Sequence, residues 1–166
     1  MIKQFNNLIS ICFIGENNSG KTSIIKKILN NNDFLEKKEI SIGIDYYKKI
    51  NEKNKKYNID IWDISGGIKY LNLSYKIILK MNKIFYVHSF DDNISIFLEW
   101  EKSIKNLIES NKYIVLLTKK DKIQTKHKKN LELIKKRCLE IGIKYFEISC
   151  KENSDEMIEL IYRLIE

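Results

Sequence analysis

Continuous apolar runs along the chain alternate with segments in which apolar residues recur every three or four positions. The runs are typical of buried strands, which we predict at 8–14, 40–50, 57–63, 83–90, 113–118 and 145–149. The three- and four-residue spacing is typical of helices, which we predict over 22–30, 93–109, 126–141 and 153–165. Because strands and helices alternate, the pattern predicts an α/β fold. Its sheet would have six mostly parallel strands, with one antiparallel edge strand and helices on both faces.

Composition narrows the class of protein. The chain has 166 residues, of which 43% are hydrophobic and 31% charged, as in ordinary soluble globular proteins. No break in composition divides the chain, so we expect residues 1–166 to form a single domain. No apolar run approaches the roughly 18 residues that a membrane-spanning helix needs. The cysteines are scattered, without a CxxC pair or metal-ligand spacing, which indicates reduced thiols in the cytosol.

The net charge of +8 is densest in the segments 119–129 and 135–137. A basic cluster is compatible with binding to nucleic acid or to anionic lipid. Lysines are nevertheless frequent along the whole chain, so we interpret the charge as a solvated surface. We therefore expect no nucleic-acid partner.

Residues 15–22 read G-E-N-N-S-G-K-T and lie between a predicted buried strand and a predicted helix. This is the pattern G-x-x-x-x-G-K-[ST] of a phosphate-binding loop, in which main-chain N–H groups and a helix N-terminus face a phosphate. The lysine would reach the β- and γ-phosphates, and the threonine hydroxyl would hold Mg²⁺. The loop predicts phosphate binding but leaves the base undetermined. The predicted contacts in this loop are Gly15, Asn18, Ser19, Gly20, Lys21, Thr22 and Ser23.

Four further segments follow this loop along the chain. They are S-I-G-I-D-Y at 41–46, W-D-I-S-G at 62–66, T-K-K-D at 118–121 and E-I-S-C-K at 147–151. In their order and nearly in their spacing, these segments resemble the motifs of small GTPases of the Ras superfamily, and they are most similar to the Rab branch. The resemblance covers nearly the whole chain. It implies a P-loop GTPase fold, also called a G-domain, that binds GTP or GDP with Mg²⁺.

The resemblance also implies roles for individual residues. Ser41, in the switch I segment, would complete the coordination of Mg²⁺, Asp63 would contact Mg²⁺ through water, and the Gly66 N–H would bind the γ-phosphate. Phe34 is placed like the aromatic residue that packs against guanine, although a core or helix-end phenylalanine is the alternative. The Asp121 carboxylate would accept two hydrogen bonds from guanine that adenine cannot offer. Further base contacts are implied for Thr118, Lys119, Ser149, Cys150 and Lys151.

The chain departs from the family pattern in three places. Gly67 stands where a glutamine that orients the attacking water is usual, so the predicted catalytic positions Lys21, Gly66 and Gly67 include no side chain for that task. Asn17 is bulkier than the residues common at its position, and we expect it to obstruct an arginine finger. No cysteine follows Cys150, so no prenylation box is present. We expect either that a tail was removed or that the protein has no lipid anchor of its own.

The sequence therefore predicts a guanine-nucleotide-binding switch that hydrolyses GTP slowly and regulates vesicle trafficking in the manner of Rab proteins. Expected partners are effectors that contact switch I and switch II, an exchange factor and a GTPase-activating protein. The expected location is the cytoplasm and the surface of intracellular membranes, reached indirectly or through a missing tail.

Two other functions would also use a phosphate loop. The alternative is a hydrolysis-deficient pseudo-GTPase that acts as a nucleotide-bound scaffold or binding module. A small P-loop nucleotide kinase is disfavoured because Arg137 and Arg163 are the only arginines, which leaves no arginine-rich lid.

Overall fold

The computed structural model describes residues 7–29, 35–41, 43–49, 57–152 and 154–166. The strands in these ranges are β1 (Asn7–Gly15), β2 (Leu35–Ser41), β3 (Ile44–Lys49), β4 (Tyr57–Ile64), β5 (Lys83–Ser89), β6 (Tyr113–Thr118) and β7 (Tyr145–Glu147). The helices are α1 (Lys21–Leu29), α2 (Ile68–Leu73), α3 (Tyr75–Ile78), α4 (Ile94–Lys105), α5 (Thr125–Glu140) and α6 (Ser154–Ile165). Within the same ranges, no helix is both long enough and apolar enough to cross a bilayer.

In the described part of the chain, the strands form one seven-stranded sheet in the order β2-β3-β4-β1-β5-β6-β7. β1 pairs in parallel with β4 and β5, and β6 pairs in parallel with β5 and β7. β3 pairs antiparallel with both of its neighbours, so it alone among these strands runs in the reverse direction. The predicted fold class, a mostly parallel sheet with one antiparallel strand, is confirmed.

The edge of the sheet differs from the prediction. We predict one strand over 40–50, whereas β3 begins only at Ile44 and a further strand, β2, lies outside it at the edge of the sheet. β2 reads L-E-K-K-E-I-S, and such a charged segment has no apolar run from which a buried strand can be predicted. Charged residues are common on edge strands because they discourage pairing with another chain.

Apolar side chains on the two faces of the sheet belong to two separate layers. Ile11 and Phe13 of β1 belong to a layer that also includes residues of α1 and α6. Cys12 and Ile14 belong to the opposite layer, which includes residues of α4 and α5. Because successive residues of a strand point to opposite faces, a strand buried on both faces reads as the continuous apolar run seen in the sequence.

Local sequence determines where several helices begin. The Asn93 side chain accepts a hydrogen bond from the Ser95 N–H at 3.1 Å, which caps the start of α4. Gln124 and His127 form a reciprocal cap at the start of α5. α1 begins at Lys21, immediately after the phosphate loop, so the N-terminal end of this helix faces the carboxyl edge of the sheet.

A buried lysine joins β3 to α1. Lys49 is 1% exposed, and its Nζ donates to the Ile28 carbonyl oxygen at 2.5 Å. The last carbonyl groups of a helix have no partner within the helix, so the lysine supplies a donor where α1 ends. Its Nζ also lies 5.7 Å from the centroid of the Tyr162 ring on α6.

The change Lys49→Met retains most of the side-chain volume but removes the donor to the Ile28 carbonyl. A buried acceptor without its donor costs about 1–3 kcal/mol, so we expect the free energy of unfolding to fall by about that amount in urea denaturation. Lys26→Met is the matched control. Lys26 lies at an exposed position on α1, the helix that contains Ile28, so this change should leave the free energy of unfolding nearly unchanged. Equal effects of the two changes would contradict the capping role.

Candidate functional site

The carboxyl ends of the parallel strands meet at one edge of the sheet, where ligands bind in folds of this kind. Gly15 ends β1, Asp63 lies one residue before the end of β4, and Thr118 ends β6. A cavity of about 330 Å³ opens at this edge. Most of its lining residues carry polar side chains, which suits an anionic ligand: Asn17, Asn18, Lys21, Thr22, Gly43, Ile44, Asp45, Asp63, Ser65 and Gly66.

Lys21 is turned into the phosphate loop. Its side chain is 6% exposed, and its Nζ donates to the carbonyl oxygens of Gly15 at 3.2 Å and Glu16 at 2.8 Å. Burial lowers the pKa of Lys21, while the charges of Asp63 and Glu16 act in the opposite direction. An anionic phosphate is a stronger partner for this ammonium group than a neutral carbonyl, because hydrogen bonds between ions are about twice as strong.

The Thr22 hydroxyl and the Asp63 carboxylate form the candidate metal site. Thr22 Oγ1 donates to Asp63 Oδ2 at 2.6 Å. Within the described ranges, no group of three or more His, Cys, Asp or Glu residues is arranged to hold a metal. Mg²⁺ prefers oxygen ligands and is usually bound by one or two carboxylates together with substrate phosphates. The donors therefore fit Mg²⁺ held jointly by the protein and a nucleotide.

Two of the predicted contacts fall outside the part of the chain whose side chains the structure describes. The backbone of Ser41 ends β2, but its side chain lies outside the described part of the structure, as does the whole of Phe34. The Mg²⁺ contact of Ser41 and the guanine contact of Phe34 thus stay predictions. Ser23 is exposed on the first turn of α1 and is not among the residues that line the cavity.

The segment after β4 packs on the phosphate loop. A Cβ on Gly66 would lie 2.4 Å from both the Asn17 nitrogen and the Asn17 Oδ1, so Asn17 fills the space beside Gly66. The Ser65 N–H donates to the Gly43 carbonyl oxygen at 2.7 Å, which joins the segment to the start of β3. Gly67 follows with a φ of 108°, a conformation that costs glycine little and other residues much.

Asp121 lies at the other end of the site, where sequence reasoning places the base. Its Oδ1 accepts a hydrogen bond from Ser149 Oγ at 2.7 Å, and this bond is the main reason that the pKa of Asp121 is lowered. Ser149 Oγ in turn accepts the N–H groups of Lys151 and Glu152, both at 3.1 Å. The loop after β7 is thus folded around one hydroxyl that also bonds to the Asp121 carboxylate. Half-buried Cys150 instead lies 3.9 Å from the Met157 sulfur.

Lys119 has a left-handed backbone conformation, with a φ of 62°. Its Nζ forms an ion pair with Asp91 Oδ2 at 3.2 Å, which directs the lysine stem from the β6 end toward the β5 end. The sequence analysis did not identify Asp91, because a charged residue after a strand carries no signal of its partner. The pair is partly exposed, so its value lies in orientation more than in stability.

One hydrogen bond connects the phosphate loop (residues 15–22), here called the phosphate end of the site, to the T-K-K-D segment (residues 118–121), here called the base end. Thr118 Oγ1 donates to the Ser19 carbonyl oxygen at 2.5 Å, across 99 residues of sequence. Both residues are almost completely buried, so water does not compete for this bond. The phosphate loop and the T-K-K-D segment, which the sequence analysis treats separately, are therefore adjacent parts of one surface.

Ser149→Ala should raise the pKa of Asp121, because the hydroxyl that stabilises the charged carboxylate is removed. A carboxylate with a depressed pKa loses its charge only when the pH falls through that lower value, so the variant should lose the charge at higher pH than the parent. NMR titration of the Asp121 carboxyl carbon measures the shift. Ser103→Ala, which removes a hydroxyl bonded to the Glu99 carbonyl, is the control. An unchanged titration of Asp121 in Ser149→Ala would contradict this role of Ser149.

Comparison with known structures supports the fold. The chain matches the bacterial selenocysteine-specific elongation factor EF-Sec with a TM-score of 0.67 at 18% identity, covering 96% of this chain and 29% of that one. It matches translation elongation factor SelB from Methanococcus maripaludis, in complex with the GTP analogue GppNHp, with a TM-score of 0.66 at 22% identity, covering 96% and 34%. The chain thus spans about a third of each of these structures. At this identity the likeness concerns the fold alone.

Comparison with known sequences supports the family. The chain is 28% identical to the Ras-related protein Rab-13 of Bos taurus over 168 residues, which covers 98% of this chain and 82% of the relative. It is 24% identical to the Ras-related protein Rab-15 of Homo sapiens over 170 residues, covering 97% and 80%. The sequence pattern of the Ras family matches residues 10–166. The chain therefore belongs to the Ras family of small GTPases, near its Rab branch.

Proposed function

We propose that this protein is a Rab-like molecular switch that binds GTP and GDP with Mg²⁺ and hydrolyses GTP slowly when no partner assists it. The observation that carries the proposal is that the phosphate loop and the T-K-K-D segment are joined by a hydrogen bond, while position 67 beside the phosphate loop is a glycine. Side chains and main chain would supply the contacts to phosphate, metal and base. Gly67, which follows the proposed γ-phosphate contact Gly66, has no side chain.

The phosphate end would bind through charge and main-chain N–H groups. Lys21 would exchange its two carbonyl acceptors for phosphate oxygens, and the α1 N-terminus would add its positive dipole end. When bound, Mg²⁺ neutralises charge on the β- and γ-phosphates. Thr22 and Asp63, which are already in contact, would hold the ion, and Ser41 would complete its ligands.

The base end would select guanine through Asp121. An ionised carboxylate accepts two hydrogen bonds, which matches the two N–H donors on the guanine edge. A base without those donors leaves the carboxylate unpaired, and a site rejects such a base strongly for that reason. The bond from Ser149 to Oδ1 at 2.7 Å supports the role by holding the carboxylate in one orientation.

Hydrolysis would be slow because nothing at position 67 orients water. In phosphoryl transfer, catalysis is mostly positioning and electrostatic stabilisation, and a glutamine commonly orients the attacking water. Asn17 also fills the space beside Gly66, so we expect it to hinder an arginine that a partner would insert there. Both features extend the lifetime of the GTP-bound state.

A second candidate, a pseudo-GTPase scaffold, is favoured by the same glycine. Such a protein would keep its nucleotide without turnover and act through the surface that the nucleotide orders. The two functions share the binding site and differ only in whether GTP is converted to GDP. Measured hydrolysis therefore separates them.

We further propose that the switch acts in vesicle trafficking, in the cytoplasm and at membrane surfaces, as its likeness to Rab-13 and Rab-15 suggests. Effectors would contact segments 41–46 and 66–80. Leu73 in the second segment is 78% exposed, and lysines at 69, 76 and 80 are exposed around it. Residues 65–90 contain no acidic side chain. This surface fits a protein with an apolar pocket and an acidic rim.

The lysine-rich part of α5 gives less support to a nucleic-acid partner. Lys135 forms an ion pair with Glu147 at 2.5 Å, and Arg137 forms one with nearly buried Glu101 at 3.1 Å. Two cations of the cluster are thus engaged within the protein. We propose that the remainder serves as solvated surface.

Asp121→Asn should relax the selection of guanine. IDP lacks the 2-amino group of GDP, so the parent should bind GDP more tightly than IDP by about tenfold or more, since a good bidentate contact discriminates by about 1–3 kcal/mol. The variant should lose most of this ratio, measured by competition against a fluorescent GDP analogue. Glu159→Gln, at an exposed position on α6, should keep it. An unaltered GDP-to-IDP ratio in Asp121→Asn would rule out the assigned role.

Single-turnover hydrolysis with Mg²⁺ tests the slow rate, and Gly67→Gln tests its cause. Because Gly67 has a φ of 108°, any side chain there is strained, so Gly67→Ala is the matched control that carries the strain without the amide. We expect Gly67→Gln to hydrolyse GTP at least about tenfold faster than Gly67→Ala.

Each outcome of this experiment has a distinct meaning. Equal rates in the two variants would show that the missing amide is not the cause of slow hydrolysis. A parent rate as fast as that of glutamine-bearing relatives would refute slow turnover. Mass spectrometry of the nucleotide that copurifies with the protein checks binding independently. GTP that stays intact in the hydrolysis assay would favour the pseudo-GTPase scaffold.

A further inference from the structure

The side chain of Glu16, the second residue of the phosphate loop, accepts two hydrogen bonds from different parts of the molecule. Its Oε1 accepts the main-chain N–H of Asn17 at 3.0 Å. Its Oε2 accepts the indole N–H of Trp100 at 3.2 Å, across 84 residues of sequence. Each carboxylate oxygen therefore has its own donor, one from the loop and one from α4.

The indole of Trp100, the donor on α4, is buried and packed against other aromatic rings. Trp100 is 1% exposed, and its ring stacks on the Tyr86 ring with centroids 5.6 Å apart and planes inclined by 18°. Tyr86 also packs on Phe97, one turn earlier on α4, at 5.6 Å. A buried indole N–H usually has an acceptor, and for Trp100 that acceptor is Glu16. The loop is thus attached to an element that cannot easily move.

The main chain of Glu16 contacts Lys21, the lysine of the phosphate loop. The Glu16 carbonyl oxygen accepts Lys21 Nζ at 2.8 Å, so the residue lies between α4 on one side and the candidate phosphate site on the other. Displacing Glu16 would move the carbonyl that pins Lys21 and the N–H of Asn17 together. The shape of the loop is therefore coupled to the position of Trp100.

We propose that Glu16 is a positioning residue that holds the phosphate loop in its binding shape through Trp100, and that this attachment slows the release of bound nucleotide. The inference rests on the proposed nucleotide binding. It assigns to α4, which lies outside the nucleotide contacts, an influence on how long the nucleotide stays bound.

A double-mutant cycle tests the attachment. Glu16→Ala removes both acceptors, and Trp100→Phe removes the indole N–H while keeping an aromatic ring in the core. We expect Glu16→Ala, which loses two hydrogen bonds, to speed the release of a fluorescent GDP analogue by about tenfold. Trp100→Phe loses one of these bonds and should speed release by about threefold. Trp100→Phe should have no further effect when Glu16 is already alanine, because the bond it removes is then absent.

Glu16 is negatively charged, so Glu16→Ala could also slow the release of nucleotide instead of speeding it. If the carboxylate acted mainly by repelling phosphates, Glu16→Ala would slow release, and the proposal would be overturned. Additive effects of the two changes would overturn it as well. If Glu16→Ala does not fold, Glu16→Gln replaces it in the same cycle, since an amide offers one acceptor oxygen instead of two. It should then speed release by less than tenfold and still be non-additive with Trp100→Phe.

NMR provides a readout that does not depend on nucleotide binding. The protein has two tryptophans, Trp62 and Trp100, so each indole N–H gives one resonance. Glu16→Ala should shift the Trp100 indole resonance and leave the Trp62 resonance in place. An unshifted Trp100 resonance would show that the bond is absent. A shifted resonance in a protein that binds no nucleotide would instead refute the proposed function and retain the contact.

Discussion

The phosphate loop leaves the sheet where β1 runs so close to β5 that no side chain fits between them. A Cβ on Gly15 would lie 2.1 Å from the Val87 carbonyl oxygen, and the residue has a φ of 144°. From that point the loop turns over the strand ends, and the buried Lys21 is bound to the first two carbonyls of the turn. The direction of every loop N–H is a property of this backbone path. The candidate site as a whole therefore depends on the close approach of two main chains.

Charge is distributed unevenly over the candidate site, in a way that would orient a bound nucleotide. The phosphate end has a buried ammonium group and a helix N-terminus, while the base end has a carboxylate whose pKa is lowered by Ser149. An anionic phosphate and a base edge rich in N–H donors fit these ends in only one direction. The bond from Thr118 to Ser19 joins the two ends. Parallel strands make this arrangement accessible because each delivers its own loop to the same edge.

Binding and hydrolysis place different demands on this surface. In the proposed site, binding would depend on contacts of main chain, lysine and carboxylate together. Orientation of water depends on one side chain at one position, and Gly67 has none. Interactions that act only in the transition state affect the rate without affecting affinity. A chain of this kind can retain its nucleotide site and still be a slow enzyme, and the attachment of Glu16 to α4 would extend the bound state further.

Several parts of the fold and of the candidate site follow from short stretches of residues. The buried strands, four of the helices and the phosphate loop come from local patterns, whereas Asp63 and Asp121 come from the order and spacing of the family's motifs along the chain. The charged strand β2 and the helices α2 and α3 escape such patterns, because their positions depend on what they pack against. The contacts of Glu16 with Trp100, Thr118 with Ser19 and Lys119 with Asp91 join residues 28 to 99 positions apart in the numbering. Local sequence carries no information on such partners, since a side chain finds a distant donor or acceptor only when the sheet brings both to one edge.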